Sequence, residues 1–259
     1  MEVLSGSEGA PAIVLLHGNG WSHAMWQPQI TALSNDFRVI APDLPGFGAR
    51  AGTRFTMDGA VEVVSEVIAR HAGRRALVAG LSMGGYVAMA HAAAHPEQVA
   101  GLVLSGCSVA FRGRIRLLSL LFGALYDRLY SARWECRLLA KQRRDVAALY
   151  PSSVIGAQLA DGFYPREWGR ALLEMARCDV RAWLRAYPGS VLILNGERDR
   201  HNRAEEDEQA RIARHASLAI IRDAGHLANL DQPDVFTSAL ARFATQTLLT
   251  ATVRPDGVA

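Results

Sequence analysis

The chain has 259 residues, half of them hydrophobic and a fifth charged, with 28 basic against 25 acidic side chains and a formal net charge of +3. That mix excludes an intrinsically disordered chain, which carries too few apolar groups to offset its conformational entropy. So small a net charge gives no ground for nucleic acid as a partner. The basic residues are 27 Arg and a single Lys, Lys141, a ratio that reflects base composition of the gene more than selection for charge. One large domain, or one domain with an insertion, is expected at this length. Three widely spaced cysteines (Cys107, Cys136, Cys178) make neither a CxxC nor a Cys/His pattern. They read as reduced thiols in a cytoplasmic protein, with no metal and no cofactor expected. The N-terminal MEVLSGSEGAP lacks a basic segment followed by an apolar run, so no secretory signal is expected. The longest stretch free of charge, between Arg75 and Glu97, is interrupted by Gly80, Gly84, Gly85, His91 and His95, which argues against stable membrane insertion.

In chain order, continuous apolar runs at 12–18, 37–43, 75–82 and 99–106 predict strands buried on both faces, as in a parallel sheet. Helical patterns fall between them at 24–34, 56–72 and 83–95, the last closed by His95-Pro96. From Ser108 to Gly189 the alternation stops and the pattern is helical throughout. It resumes with strands at 190–196 and 217–223 and helices near 204–214 and 233–249, while 251–259 reads as a frayed end. Alternating strands and helices imply right-handed crossovers and a doubly wound, mostly parallel α/β sheet. The predicted organisation is a core of residues 1–107 and 190–259 with an inserted helical cap at 108–189.

Gly80-Leu81-Ser82-Met83-Gly84 fits G-x-S-x-G at a predicted strand-to-helix junction, the context that gives this pattern meaning. A serine on so sharp a turn has its hydroxyl raised above the sheet edge, and the helix behind it presents unpaired N–H groups toward developing negative charge. The competing reading is a glycine-rich turn that only packs a helix on a strand. A serine hydroxyl needs a base within hydrogen-bond reach and a third group to orient that base. His226 in DAGHLANLDQP and Asp199 in LNGERD both follow predicted strands, so they share the carboxyl rim of the sheet with Ser82. A solvated loop histidine and a solvated turn aspartate are the plainer readings, and Glu197 competes with Asp199. The order Ser82, Asp199, His226 is nucleophile, acid, base. Directly after the first buried strand, His17-Gly18-Asn19-Gly20-Trp21 offers main-chain amides to an oxyanion. The donors expected are the backbone N–H groups of Asn19 and Met83, with the His17 side chain and Asp43 shaping turns.

HGNGWSHAMW, APDLPGFG, GLSMGG, AHPEQVAGLVL, LNGERD and AGHLANLDQPDVF together resemble the α/β-hydrolase superfamily over nearly the whole chain outside the cap. The resemblance implies an α/β-hydrolase fold and is closest to small esterases and enol-lactone hydrolases with a helical cap. Ser82 stands where dehalogenases and epoxide hydrolases carry aspartate, and Leu227 where carbon–carbon bond hydrolases typically carry tryptophan. Some relatives place the acid after the sixth strand; here that position reads Ser105-Gly106-Cys107, which favours Asp199. The expected activity is hydrolysis of a carboxylic ester or lactone of a small, largely apolar substrate through an acyl-enzyme. Acyl or thioester transfer, thioester hydrolysis, carbon–carbon bond hydrolysis, or ligand binding without turnover are the alternatives.

Residues 107–190 hold 14 basic and 7 acidic groups, and the rest of the chain 14 and 18. The near-neutral total therefore conceals a basic cap over an acidic core, and the open question is whether any cap arginine faces Ser82. Gly18, Trp21, Tyr126, Tyr130, Trp134 and Trp168 are the candidate substrate-binding residues, as a mostly apolar pocket needs. The apolar run at 115–125 is expected to pack under other cap helices or line the pocket, in preference to peripheral membrane contact. A monomer and a homodimer fit the sequence equally.

Overall fold

A computed structural model describes residues 2–250 of the chain, so the expected frayed end at 251–259 lies outside the described residues. In chain order the elements are β1 (Glu2–Ser5), β2 (Ala12–Leu16), α1 (Gln27–Leu33), β3 (Arg38–Pro42), α2 (Met57–His71), β4 (Ala76–Leu81), α3 (Met83–Ala94) and β5 (Val99–Ser105). Five helices follow: α4 (Gly113–Leu129), α5 (Ala132–Leu149), α6 (Ser152–Asp161), α7 (Trp168–Arg177) and α8 (Val180–Ala186). The chain then returns to β6 (Ser190–Gly196), α9 (Arg200–Arg203), α10 (Glu206–Ile212), β7 (His215–Ile221), α11 (Ala228–Asp231) and α12 (Pro233–Thr250). Among the described residues no helix is long and apolar enough to cross a membrane.

The sheet has seven strands in the order β1-β3-β2-β4-β5-β6-β7, parallel throughout except for β1, which runs antiparallel to β3 at one edge. Strand alternation divides the apolar interior into two layers. In β2, Ile13 and Leu15 face the layer that holds Ile30 and Leu33 of α1 and Phe236 and Leu240 of α12. Val14 and Leu16 face the opposite layer, with Val64 of α2 and Val87 of α3. The same layer takes Val180 and Leu184 of α8, together with Tyr187, whose hydroxyl donates to the Val99 carbonyl at 3.2 Å. So α8, within the stretch 108–189, covers the sheet.

Sequence and structure differ in three instructive places. The four-residue β1 carries no strand pattern of its own and forms because the open edge of β3 pairs Val3 with Ala41. The stretch 24–34 is a short 3₁₀ turn at His23–Trp26 followed by α1, whose first turn accommodates Pro28 because the missing N–H has no helical partner there. The helix expected near 204–214 is the shorter α10, preceded by the single turn of α9. A larger correction concerns the apolar run at 115–125: one side of α4 packs inward, but Leu117, Leu118, Leu121 and Leu125 stand 54–64% exposed.

The position of α3 over the sheet depends on missing side chains. A Cβ at Gly84 would lie 2.1 Å from the Leu16 carbonyl oxygen, and one at Gly80 would lie 2.1 Å from the Gly84 carbonyl oxygen. Only hydrogen at these positions lets the helix start directly against β2 and β4. Gly84→Ala should therefore destabilise the fold by roughly 1–3 kcal/mol, because backbone must move to admit the methyl group. Urea unfolding would show this as a lower midpoint at unchanged slope; an unchanged midpoint would mean that helix and strand separate freely here.

Candidate active site

Ser82 is the residue between β4 and α3, with φ +54° and ψ −120°, a conformation that costs a non-glycine residue energy and is kept only where surrounding structure compels it. Its N–H donates to the Ser105 carbonyl at 2.8 Å, which ties the turn to the end of β5. Met83 begins α3, so its N–H has no acceptor within the helix and points with the helix dipole toward the turn.

His226 lies in the loop after β7, and its Nδ1 is 2.9 Å from Asp199 Oδ2, after β6. Asn202 Nδ2 donates to both carboxylate oxygens, at 3.0 and 2.9 Å, and lies 3.2 Å from His226 Nδ1. Two donors thus converge on one carboxylate, which fixes Nδ1 as the protonated nitrogen of His226 and frees Nε2 for the cavity. Asp199 is buried. Burial works to raise its carboxyl, but the hydrogen bond and charge of His226, aided by Asn202, hold it below the usual value. Glu197, the competing acid, is exposed and accepts instead from the Asp223 N–H at 3.2 Å. Gly106, at φ +56°, passes so close that a Cβ there would stand 3.0 Å from His226 Nδ1. Its N–H is held by Asn195 Oδ1 at 3.0 Å.

The loop after β2 is pinned from both sides. His17 Nδ1 donates to the Gly18 carbonyl at 2.9 Å and Nε2 accepts from the Leu44 N–H at 3.0 Å, so the ring is a buried, neutral brace. Asn19 Nδ2 donates to the Trp168 carbonyl at 3.0 Å, and the Tyr164 N–H donates to the Gly20 carbonyl at 2.9 Å. The helices between β5 and β6 therefore hold this loop against the core. They also reach the histidine loop: the Tyr150 hydroxyl donates to Asp231 Oδ1 at 2.7 Å, and Asp231 Oδ2 accepts from the Gly225 N–H at 2.6 Å.

A cavity of about 750 Å³ brings together Ser82 and His226 with Gly18, Asn19, Trp21, Tyr126 and Trp168. Tyr126 and Trp168 stack at 5.3 Å, and the Tyr126 hydroxyl donates to the Pro165 carbonyl at 3.0 Å. Two expected wall residues lie elsewhere. Tyr130 sits behind Tyr126, ring centres 5.6 Å apart, and Trp134 points outward, 52% exposed. Tyr130 follows the end of α4, and Trp134 lies in the first turn of α5, a helix that reaches the cavity only from Leu138 onward. The walls include Phe122, from the apolar run at 115–125, and residues that the sequence did not single out, among them Tyr86, Phe111, Leu138, Leu172 and Met175. Among the described residues no arginine lines the cavity; its lysine is Lys141, paired with Asp145. Cys107 is buried under the elbow, and burial pushes its thiol up to about 12, so it is inert as a nucleophile. Among the described residues no cluster of three or more His, Cys, Asp or Glu could hold a metal ion. Asn202 had one legible signal, its place three residues after an acid that opens a helix; the wall residues had none.

The model of the alpha/beta hydrolase family matches residues 13–239. Among curated relatives, the pimeloyl-[acyl-carrier protein] methyl ester esterase of Edwardsiella ictaluri is 32% identical over 256 aligned positions, covering 91% of this chain and 94% of the relative. The 3-oxoadipate enol-lactonase 1 of Acinetobacter baylyi is 25% identical, with 93% and 91% covered. Among solved structures, a thermophilic esterase from Thermogutta terrifontis superposes with a TM-score of 0.76 at 24% identity, covering 96% of this chain and 93% of that one. The enol-lactonase from Burkholderia xenovorans LB400 gives the same TM-score at 22% identity, with 95% and 96% covered. At those identities the structural likeness speaks for the fold alone.

Buried histidines make the fold sensitive to acid. Burial pulls His17 down to about 4, and burial with the charge of His95 does the same to His91, so both take up protons far more readily when unfolded. Their contribution falls away as pH drops from about 6.5 to about 4. His23, raised by its hydrogen bond to Asp43 against the effect of burial, acts oppositely: its contribution grows as pH falls toward 6.5 and is constant below that, so it does not oppose the loss from His17 and His91. Asp43 and Asp199, both held low, lose their contribution only below about 3.8. Urea unfolding at pH 6.5, 5.5 and 4.5 should show stability falling by up to about 1.4 kcal/mol per pH unit for each of these two buried histidines. His91→Gln should flatten that slope; a slope unchanged by the substitution would refute the assignment.

Proposed function

The chain belongs to the alpha/beta hydrolase family, and from that premise we propose that it is a serine hydrolase cleaving carboxylic esters or lactones of small, largely apolar substrates. The observation that carries this reading is the convergence on one cavity of a serine in a forced turn and a histidine whose Nδ1 is bound to a buried carboxylate. The relatives named for a methyl ester and for an enol lactone both act on a carbonyl carbon bonded to oxygen, and one set of parts serves both.

In this mechanism His226 Nε2 takes the proton of the Ser82 hydroxyl as its oxygen attacks the carbonyl carbon. The carbonyl π electrons move to oxygen, and the backbone N–H groups of Asn19 and Met83 stabilise that oxyanion. Asp199 holds the Nδ1–H tautomer and the imidazolium charge, with Asn202 positioning its carboxylate. Collapse of the tetrahedral intermediate breaks the bond to the leaving oxygen, which receives the proton from His226 and departs as an alcohol. In a lactone that hydroxyl stays on the acyl chain. Water then gives a proton to His226 and attacks the acyl-enzyme, and a second collapse releases the acid and restores Ser82. No metal or cofactor takes part.

We read α4 to α7 as the cap that closes the site and sets the substrate, with α8 part of the core. The cap lines the cavity mostly with aromatic and aliphatic side chains, its polar contribution being Gln142 and the Lys141–Asp145 pair, so substrate selection rests chiefly on the fit of an apolar acyl or alcohol group. Its free cysteines favour the cytoplasm.

A fluorophosphonate probe should add its mass to the protein on Ser82, and Ser82→Ala should take up none and lose about 10³–10⁶-fold in kcat on nitrophenyl esters. Equal labelling of wild type and variant would place the nucleophile elsewhere. If the cavity holds the acyl chain, Leu172→Trp should lower kcat/KM for hexanoyl and octanoyl esters at least about tenfold relative to the acetyl ester. A constant ratio along the series would show that the chain binds outside it.

A further inference from the structure

We propose that the outward side of α4 is a docking surface for an anionic lipid bilayer. Leu118, Leu121 and Leu125 recur three and four residues apart, so they share one side of the helix, flanked by Leu117 and Leu129. All five are more than half exposed. They are not core residues left outside by loose packing. The opposite side of α4 is seated on α7 where Gly123 meets Gly169, a Cβ on either standing 2.8 Å from the carbonyl oxygen of the other. So close a crossing prevents rotation of the helix, and the leucines have no interior to turn into. A contiguous apolar surface of this kind on a folded domain marks an interface.

Charge selects the occupant. The leucine side of α4 also carries Arg114 and Arg128, and the start of α5, which follows α4 after two residues, carries the exposed Arg133, Trp134 and Arg137 with Glu135 half-buried among them. Among the described residues none of these four arginines makes an ion pair. The one acidic residue of α4, Asp127, is paired with Arg170 at 2.7 Å. A two-fold pairing of the leucine side of α4 with a second copy would set Arg114 and Arg128 against their counterparts, because the one carboxylate of α4 is already paired. An anionic headgroup layer instead satisfies the arginines while leucines and a tryptophan enter the acyl boundary. The face is continuous with the cavity: Phe122, 53% exposed, is also a cavity wall residue. A bilayer there would deliver apolar esters to the entrance. That consequence rests on the ester-hydrolase reading; the docking itself does not.

Sedimentation of the full chain with vesicles tests the proposal without turnover, so its failure is distinguishable from a failure of the catalytic reading. Wild type should bind phosphatidylcholine–phosphatidylglycerol vesicles, and at least about tenfold more weakly pure phosphatidylcholine vesicles. Leu118→Ser/Leu121→Ser should weaken binding to the mixed vesicles at least about tenfold while thermal unfolding and hydrolysis of a water-soluble ester stay within twofold of wild type. Arg114→Gln/Arg128→Gln, which leaves the leucines in place, should also weaken it. Absence of binding by wild type, or binding indifferent to both pairs of substitutions, would overturn the proposal. So would a dimer in solution, seen by sedimentation equilibrium, that the leucine substitutions dissociate, because the face would then belong to a second copy.

Discussion

The left-handed backbone of Ser82 is the constraint on which the rest of this molecule depends. A residue with a side chain resists φ +54°, so the conformation persists only because β4 and α3 are both fixed on either side of it. They are fixed by contact at atomic range: α3 starts against the carbonyl of Leu16 and β4 passes beneath the carbonyl of Gly84, in each case where a glycine removes the Cβ. The Ser82 N–H then binds the carbonyl of Ser105 on the neighbouring strand. The strain of one residue is thereby balanced by packing spread over three strands and a helix.

Parallel strands explain why residues so far apart in sequence meet. Because β2, β4, β5, β6 and β7 run the same way, the loops after them open on one rim. That rim gathers the Gly18–Trp21 loop, Ser82, Gly106, Asp199 and His226. Each loop is held by a neighbour: Gly106 by Asn195, Asp199 by Asn202, the histidine loop by Asp231 and Tyr150, and the Asn19 loop by Trp168. Loops tied to their neighbours by such hydrogen bonds are held in place, which preorganised chemistry requires.

The charge asymmetry seen along the chain resolves into position. The stretch 107–190 is rich in arginine, yet none of its arginines lines the cavity. Several are paired with core acids, as Arg112 and Arg181 are with Glu205 and Glu208. Others lie on the outer surface of α4 and α5 beside exposed leucines. The excess of positive charge is thus divided between clamping the helices to the core and the outward surface, with no part in the interior of the site.

The strands of the core and the order Ser82, Asp199, His226 were legible in the sequence because they depend on local signals: apolar runs of strand length, glycines at a turn, and acids and histidines at strand ends. Trp21, Tyr126 and Trp168 line the cavity, whereas Tyr130 and Trp134 do not, since an aromatic residue looks the same in sequence whether it faces in or out. Helical periodicity cannot tell which of two apolar sides of α4 is buried; the Gly123–Gly169 crossing decides that. By itself the sequence determined the elements and the residue types at the rim, which follow from near-neighbour sterics and hydrogen bonding. Only the tertiary structure decided which side chains wall the cavity, where the arginines point and which leucines remain in water, because those depend on how helices distant in sequence settle against one another.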